Sequence, residues 1–511
     1  MDTKALRQKI LDLAIRGKLV PQDPSDEPAS VLLEKIREEK ARMVKEGKLK
    51  KKDIKNDSII YVGEDNLHYE KFQDGTVKCI EDELPFEVPN NWAWARLRNI
   101  CMMAAGKAKP ANQIKATPFE GGFPCFGGNG IRGYVDEYNQ EGTFSIVGRQ
   151  GALCGNINIA SGKFYATEHA VVTTLFAGID FNWSNYILEA LNLNEYSTGA
   201  AQPGLSVANV LNVFVPVPPT QEQKRIGQKI SKSIKTINII EQEKQNLQTI
   251  IADTKSKVLD LAIRGQLIPQ NPDDEPASVL LDRIRAEKEE LIKQGKIKRD
   301  KKESIIFKGE DNSYYEMIGN KVNNLDNSNL FDLPDNWCWC RVRSIADVKG
   351  GKRLPKGCNF SDTSTNHAYI RVTDMKNHTV NTTNLRYISD EVYEQIKSYI
   401  ISKNDLYITI AGTIGTVGEI PDELDNMNLT ENAAKICNIK ISKKYLCYIL
   451  SSQFVQVQFQ EKTHQVAMPK LALERILTTI IPIPPYKEQL LIAKKIEDIL
   501  HRMNAIENSI C

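Results

Sequence analysis

The chain has 511 residues, 41% hydrophobic and 26% charged, with a formal net charge of +2. That length allows several domains with cores of their own, and the near-neutral sum does not single out a nucleic-acid binder, although it hides local basic clusters. No apolar run approaches the roughly 20 residues a bilayer requires, the charged start lacks a signal peptide's apolar stretch, and the cysteines show no metal or disulfide spacing, so a cytoplasmic protein with reduced thiols is expected.

The first element is one half of a repeat. Residues 11–40, LDLAIRGKLVPQDPSDEPASVLLEKIREEK, return at 259–288 as LDLAIRGQLIPQNPDDEPASVLLDRIRAEK, identical at 23 of 30 positions at an offset of 248. A repeat of this kind governs the fold and is read before anything else. A turn-and-cap cluster, DPSDEPAS, leads into a charged helix over 30–46 with Val31, Leu32 and Ile36 as its apolar stripe. The lysine-rich segment 48–55 that follows reads as a solvated hairpin tip or linker rather than a set of phosphate contacts.

A first insert begins near residue 85 and opens with Trp92-Ala93-Trp94. Alternation puts both rings on one strand face, as core anchors rather than base-stacking groups. Within it, AVVTTLF at 170–176 is strand-like and SNYILEALN at 184–192 helical. Lys107, Lys109, Asn112, Gln113 and Lys115 crowd one loop. Asn129, Arg132 and Tyr134 follow in a glycine-rich turn, and Arg149 and Gln150 lie in another. Arg and Lys match guanine edges and phosphates, Asn and Gln match adenine, and glycine turns let backbone come close, so these residues are the candidate DNA contacts of this insert.

Residues 220–263 read as one long helix. PVPP forbids helix before it, Thr220-Gln-Glu-Gln223 offers a capping box, and Gly265 supplies the C-cap. A heptad frame places Ile230, Ile237, Lys244, Ile251 and Val258 at a, and Ile226, Ser233, Ile240, Leu247, Thr254 and Leu261 at d. The charged-helix motif and a lysine-rich run (296–302) then return. The second insert opens with Trp337-Cys338-Trp339, and LYITIAGTIG at 406–415 and SKKYLCYILSS at 442–452 are its strand-like and helical runs. The cysteine pair replaces two alanines of the first copy, which argues for packing. Lys349, Lys352, Arg353 and Lys356, then Arg371, Thr373 and Lys376, and Thr413 in a glycine turn matching the Gly148 turn, are its candidate DNA contacts.

At the C-terminus the heptad frame continues through Ile492, Ile496, Ile499, Met503, Ile506 and Ile510, and at the N-terminus through Thr3, Leu6, Ile10 and Leu13. The long helix therefore finds its partners at the two chain ends. The repeat closes on itself, which implies two long antiparallel helices related by a pseudo-twofold axis, with an inserted domain at each end. The fold expected is α+β: two globular domains separated by long coiled-coil helices. The segments are 1–84, helical with a lysine-rich extension; 85–219, the first insert; 220–330, the central long helix, short helix and second extension; 331–485, the second insert; and 486–511, the C-terminal helix.

Two fragments imitate a DNA adenine methyltransferase. Phe126-Gly-Gly-Asn-Gly130 fits a methyl-donor turn, but strand-like sequence follows it. Pro484-Pro485-Tyr486 fits the end of a catalytic loop, but Ile483 stands where a polar residue is required. No catalytic centre is expected, and no metal site.

The repeated LAIRGKLVPQ-x-P-x-DEPAS element, the W-x-W openings, GGNGIRGYVDEY, YIRVTDM with AGTIGTVG, and the PxPP-x-x-EQ exits resemble a specificity subunit of a type I restriction–modification system over nearly the full length. The resemblance implies a non-enzymatic DNA reader with two target-recognition domains, each reading half of a split, asymmetric site. It implies conserved helices that set the spacing and recruit two methyltransferase subunits, with motor-nuclease subunits completing the complex. No cofactor is then expected on this chain; S-adenosylmethionine, ATP and Mg belong to the partners. The lysine-rich segments at 48–84 and 296–330 depart from many members. A self-contained DNA adenine methyltransferase and a coiled-coil scaffold without a DNA role are the alternatives.

Overall fold

The computed structural model describes residues 2–151, 153–198, 204–460 and 470–510; the side chain of Ile510 lies outside that description. The chain divides into two compact units, residues 1–244 and 245–511.

In the first unit, α1 (Thr3–Ile15) and α2 (Ala29–Lys45) lead into an antiparallel sheet, β1 (Ser58–Val62), β2 (His68–Phe72) and β3 (Val77–Cys79). Each helix stops at a glycine in the left-handed region. At Gly17 (φ +67°) the amides of Gly17 and Lys18 bond back to Ala14 and Leu13, and Gly47 and Lys48 repeat this on Val44 and Met43. Strand β4 (Ala93–Arg96) pairs with β11 (Phe214–Val217) and so closes the insert at its neck. Between them lies a six-stranded sheet in the order β5 (Cys101–Ala105), β10 (Ala170–Leu175), β8 (Gln140–Gly148), β9 (Ile157–Ala166), β6 (Phe123–Gly127), β7 (Gly130–Val135). All its pairs are antiparallel except β6 with β9. Helix α3 (Phe181–Ala190) covers it with the fully buried Trp183.

Helix α4 (Thr220–Ile263) runs unbroken. Its first part packs antiparallel to α1: Arg7 bonds Asn238 and, at 2.9 Å, Glu241, while Leu11, Ile226 and Ile230 share one core. The capping box does not form. Thr220 instead donates to the Gly178 carbonyl (3.1 Å), and the Gln223 amide donates to Pro218 and accepts from the Asp180 N–H (both 2.9 Å). Gln223 is fully buried under the insert, so tertiary partners outcompete the local cap. The C-cap at Gly265 (φ +67°) forms as expected, with Gly265 and Gln266 bonding back to Ala262 and Leu261.

The second unit repeats the frame. Helix α5 (Ala277–Lys293) leads to β12 (Ser304–Lys308), β13 (Tyr314–Ile318) and β14 (Lys321–Asn324), again an antiparallel sheet. The lysine-rich extensions are thus small folded sheets, with lysines in the approach to each. Strand β15 (Cys338–Arg341) pairs with β22 (Ile480–Ile483). Inside, β16 (Asp347–Gly350), β21 (Ala433–Cys437), β18 (Leu406–Thr409) and β19 (Val417–Glu419) form one sheet in that order. In a second sheet, β17 (Ala368–Ile370) runs parallel to β20 (Met427–Leu429). Of the run 406–415 only 406–409 is strand; the remainder turns at Gly412 and Gly415, both at positive φ. Helix α6 (Lys443–Leu450) covers the insert, and α7 (Tyr486–Ile510) lies antiparallel to the second part of α4. There Lys255 pairs with Glu507 at 2.6 Å, the repeat's counterpart of Arg7 with Glu241.

Burial along the heptad seam is uneven. Ile226, Ile230, Ile237, Ile251, Val258, Ile492 and Ile496 are buried; Ile240, Leu261, Ile499 and Met503 are half-buried. Leu247 and Ile506 are 38% and 47% exposed. The expected closed seam is therefore open at Leu247 and Ile506.

The paired tryptophans are buried, but they do not share a face. Trp92 and Trp337 join the main cores, whereas Trp339 packs with Ile306 and Leu325 of the extension, and Trp94 packs on Phe86 and Phe214. Trp92 and Trp337 precede the strand proper, so the alternation counted from sequence does not reach them.

Candidate nucleic-acid interface

The inserts look unrelated in sequence and differ in sheet layout, yet a parallel strand pair and the turn after it carry the same hydrogen bonds in both. In the first, Cys125-Phe126 run parallel to Tyr165-Ala166; in the second, Tyr369-Ile370 run parallel to Asn428-Leu429. A tight turn follows each: Thr167-Glu168-His169-Ala170 and Thr430-Glu431-Asn432-Ala433. The Ala N–H bonds back to the Thr carbonyl at 3.0 and 3.1 Å, and the Thr N–H donates to Phe126 and to Ile370. The third-residue carbonyl accepts from Arg149 and, in the second insert, from Ile410. Gly106 and Lys107 donate to Ala170 and Ala166; Gly351 and Lys352 donate to Ala433 and Leu429. A Cβ on Gly106 would overlap the Ala166 carbonyl oxygen, and one on Gly351 that of Thr430, so glycine is required at both.

This Thr-Glu-x-Ala turn is the floor on which the candidate loops meet. In the first insert it gathers Lys107, the β6–β7 tip carrying Asn129, and the turn carrying Arg149 and Gln150. The FGGNG fragment is that hairpin tip. Lys107, Asn129, Arg132 and Gln150 are exposed, and Asn129 accepts from Asn156 at 3.1 Å. Arg149 is half-buried, its Nε donating to the Leu205 carbonyl. Asn112, Gln113 and Lys115 are exposed but lie apart: Lys115 pairs with Tyr134, at the end of the hairpin away from the tip, and its ammonium sits 4.0 Å from the Phe119 ring. Lys109 is held by Glu137 (2.8 Å) and Asp136 with its side chain only 8% exposed, and those acids raise its pKa, the Glu137 hydrogen bond most.

In the second insert the floor gathers Lys352, Arg353 and the turn that carries Thr413. Lys349, Lys352, Lys356, Thr373, Lys376 and Thr413 are exposed. Arg353 binds Glu431 at 2.6 Å. Arg371 is fixed by two bonds to Asp374 (2.7 and 3.0 Å) and one to the Asn384 carbonyl, which occupies its fork in shaping the loop.

Beneath each insert lies a buried carboxylate that sequence reading missed. Trp92 and Gln22 donate to Glu222 at 3.0 and 2.7 Å; Trp337 and Gln270 donate to Glu488 at the same distances. The signal was present, since Trp, Gln and Glu all recur in the repeat.

The sequence pattern of the type I restriction modification DNA specificity domain matches residues 89–249 and 334–510. The chain belongs to that family. Its function is DNA sequence recognition in a type I restriction–modification system. It is 25% identical to the Escherichia coli type I restriction enzyme EcoAI specificity subunit over 99% of this chain and 90% of that protein. It is 26% identical to the EcoEI specificity subunit of the same organism, over 97% and 88%. A chain from a structure describing complex assembly and conformational transition of the type I R-M system aligns with a TM-score of 0.51 at 13% identity, over 83% of this chain and 94% of that one, which supports the same fold. No helix among the described residues is long and apolar enough to cross a membrane.

Proposed function

We propose that each insert reads one half of an asymmetric, two-part DNA site through the loops gathered on its Thr-Glu-x-Ala turn. The observation that carries this is one strand pair and turn, shared by both inserts, bearing two unlike sets of loops on a duplicated frame. The shared turn holds the readers alike; unlike loops give unlike half-sites. The long helix α4 sets the distance between half-sites. The conserved helices dock two methyltransferase subunits, and motor-nuclease subunits complete the assembly. The chain itself is non-catalytic and works in the cytoplasm. S-adenosylmethionine, ATP and Mg are bound by the partners, where adenine is methylated and DNA is cut. Mapping methylated adenines genome-wide with and without this chain tests the reading. The expected result is one split, non-palindromic motif lost with the chain; a palindromic or unsplit motif overturns it.

A further inference from the structure

The two Thr-Glu-x-Ala turns share a backbone but not the fate of their carboxylate. Glu431 is fully engaged: Arg353 donates at 2.6 Å, the Thr430 hydroxyl at 2.9 Å and the Tyr369 hydroxyl at 3.4 Å, and its side chain is 23% exposed. Counting from the matched glycines, Arg353 corresponds to Ala108. Counting from the matched strand pairs, Tyr369 corresponds to Cys125. The first insert therefore lacks both donors. Among the described residues, Glu168 keeps only the imidazole of His169, at 3.3 Å. Its Oε2 is buried without a hydrogen-bond partner, as are the Thr167 hydroxyl and His169 Nδ1, and Thr167 is fully buried. The side chain is nevertheless 38% exposed.

Unsatisfied buried polar atoms are uncommon and costly, and three of them in consecutive residues set this turn apart from its satisfied counterpart, while the rest of the Glu168 carboxylate stays open to a donor. The backbone there joins Lys107, Arg149 and the Asn129 hairpin, a basic and amide-bearing surface. A carboxylate on such a surface repels phosphate. It gains where a base offers an exocyclic amine, as cytosine N4 does in the major groove. We propose that Glu168 is a specificity-determining residue of the first insert, accepting a hydrogen bond from an exocyclic base amine, cytosine N4 or adenine N6, while Arg353 withholds Glu431 from that role in the second.

The proposal rests on the reading that these loops face DNA, so the test separates the two. The complex reconstituted with its methyltransferase subunits selects DNA from a library randomised in both half-sites. E168Q, which keeps shape but replaces one acceptor oxygen by a donor, should lower preference at one base pair of the first half-site roughly 5- to 150-fold. The second half-site and the salt slope should stay unchanged, because no phosphate contact is lost. The position affected shows whether the amine is cytosine's or adenine's. Where E168Q does not melt like the wild type, E168D serves, since it keeps the charge but withdraws the oxygens by one methylene. Wild-type preference retained at every position overturns the proposal when K107E or N129A still weakens the first half-site. If those variants also leave it untouched, the loop surface does not face DNA and the proposed function fails first. R353A frees Glu431 and should bring a new preference for cytosine or adenine at one base pair of the second half-site; the absence of such a gain contradicts the withholding by Arg353.

Discussion

Two glycines and two glutamates show how much rests on single side chains here. Gly106→Ala and Gly351→Ala place a methyl against backbone carbonyl oxygens that have no rotamer to yield with. Each should destabilise its unit by about 1–3 kcal/mol and impair only its own half-site. Gly350→Ala, whose nearest neighbour is the Leu473 side chain at 3.7 Å, should melt like the wild type. Equal melting of all three would remove the turn's claim to be a rigid floor. Glu222 and Glu488 make a second case. Burial raises both above the ordinary 4.5 even though Trp and Gln donate to them. A carboxyl whose folded pKa lies above its unfolded value contributes stability that is complete below the unfolded pKa and is lost as pH rises through the folded one. E222Q is neutral at every pH. Its melting temperature relative to wild type should therefore rise between about pH 4 and pH 7. Paired melts across that range check the sign, and a falling difference would show that the donated bonds outweigh burial.

At the scale of elements, the helix boundaries and the polar extensions contrast. Helix α4 was legible because neither glycine nor proline interrupts it from Gln228 onward and a Schellman glycine ends it. The extensions were not, because β1–β3 and β12–β14 are short strands of three to five residues, few of them fully buried, with little alternation to read. What fixes them is a long-range ion pair. Arg96 on the neck strand grips Glu70 of β2 with bonds of 2.6 and 3.0 Å; Arg341 and Glu316 do the same in the second unit. Burial pushes Glu70 upward, but the bonds from Arg96 and Ser58 prevail and leave its pKa below the ordinary value. Its stabilisation is present above the unfolded pKa and lost as pH falls through the folded one. Glu70→Ala strands a largely buried guanidinium and should cost about 3 kcal/mol or more; denaturant melts measure it, and a cost under about 1 kcal/mol would show that the sheet is held by apolar contacts instead. The seam gives a matched contrast. Ile251→Ala, at a buried position, should cost about 2–4 kcal/mol, whereas Leu247→Ala, one turn earlier and exposed, should be nearly neutral for folding. Similar losses at both would mean that the seam at Leu247 is closed in solution.

For the whole molecule, the repeat decided most of what could be read. Matching flanks around unlike inserts gave the order of helices and necks. The loops that carry Lys107, Asn129 and Lys352 were picked out by residue type alone. Residue type could not say that Lys109 and Arg371 are tied to neighbouring acids, since those pairings depend on how strands and turns meet in space. Nor did it show that the inserts share a strand pair and turn, because the conserved part is a backbone hydrogen-bond pattern with only Thr, Glu and Ala in common at the turn. That shared pattern bears on exchange. Residues 95–214 enter and leave the frame through one antiparallel neck, Val215 opposite Ala95, and carry their own sheet and cover helix. A family member's insert joined at the same neck strands meets the same Trp92–Glu222–Gln22 base and the same β4–β11 register. The chimera should therefore fold, assemble with its methyltransferase partners and change one half-site only. Methylome mapping of cells carrying the chimera reads both halves at once. A motif altered in one half, with the other half kept base for base, is the outcome that independent readers require. A motif altered in both halves would mean that one insert's loops influence what the other selects.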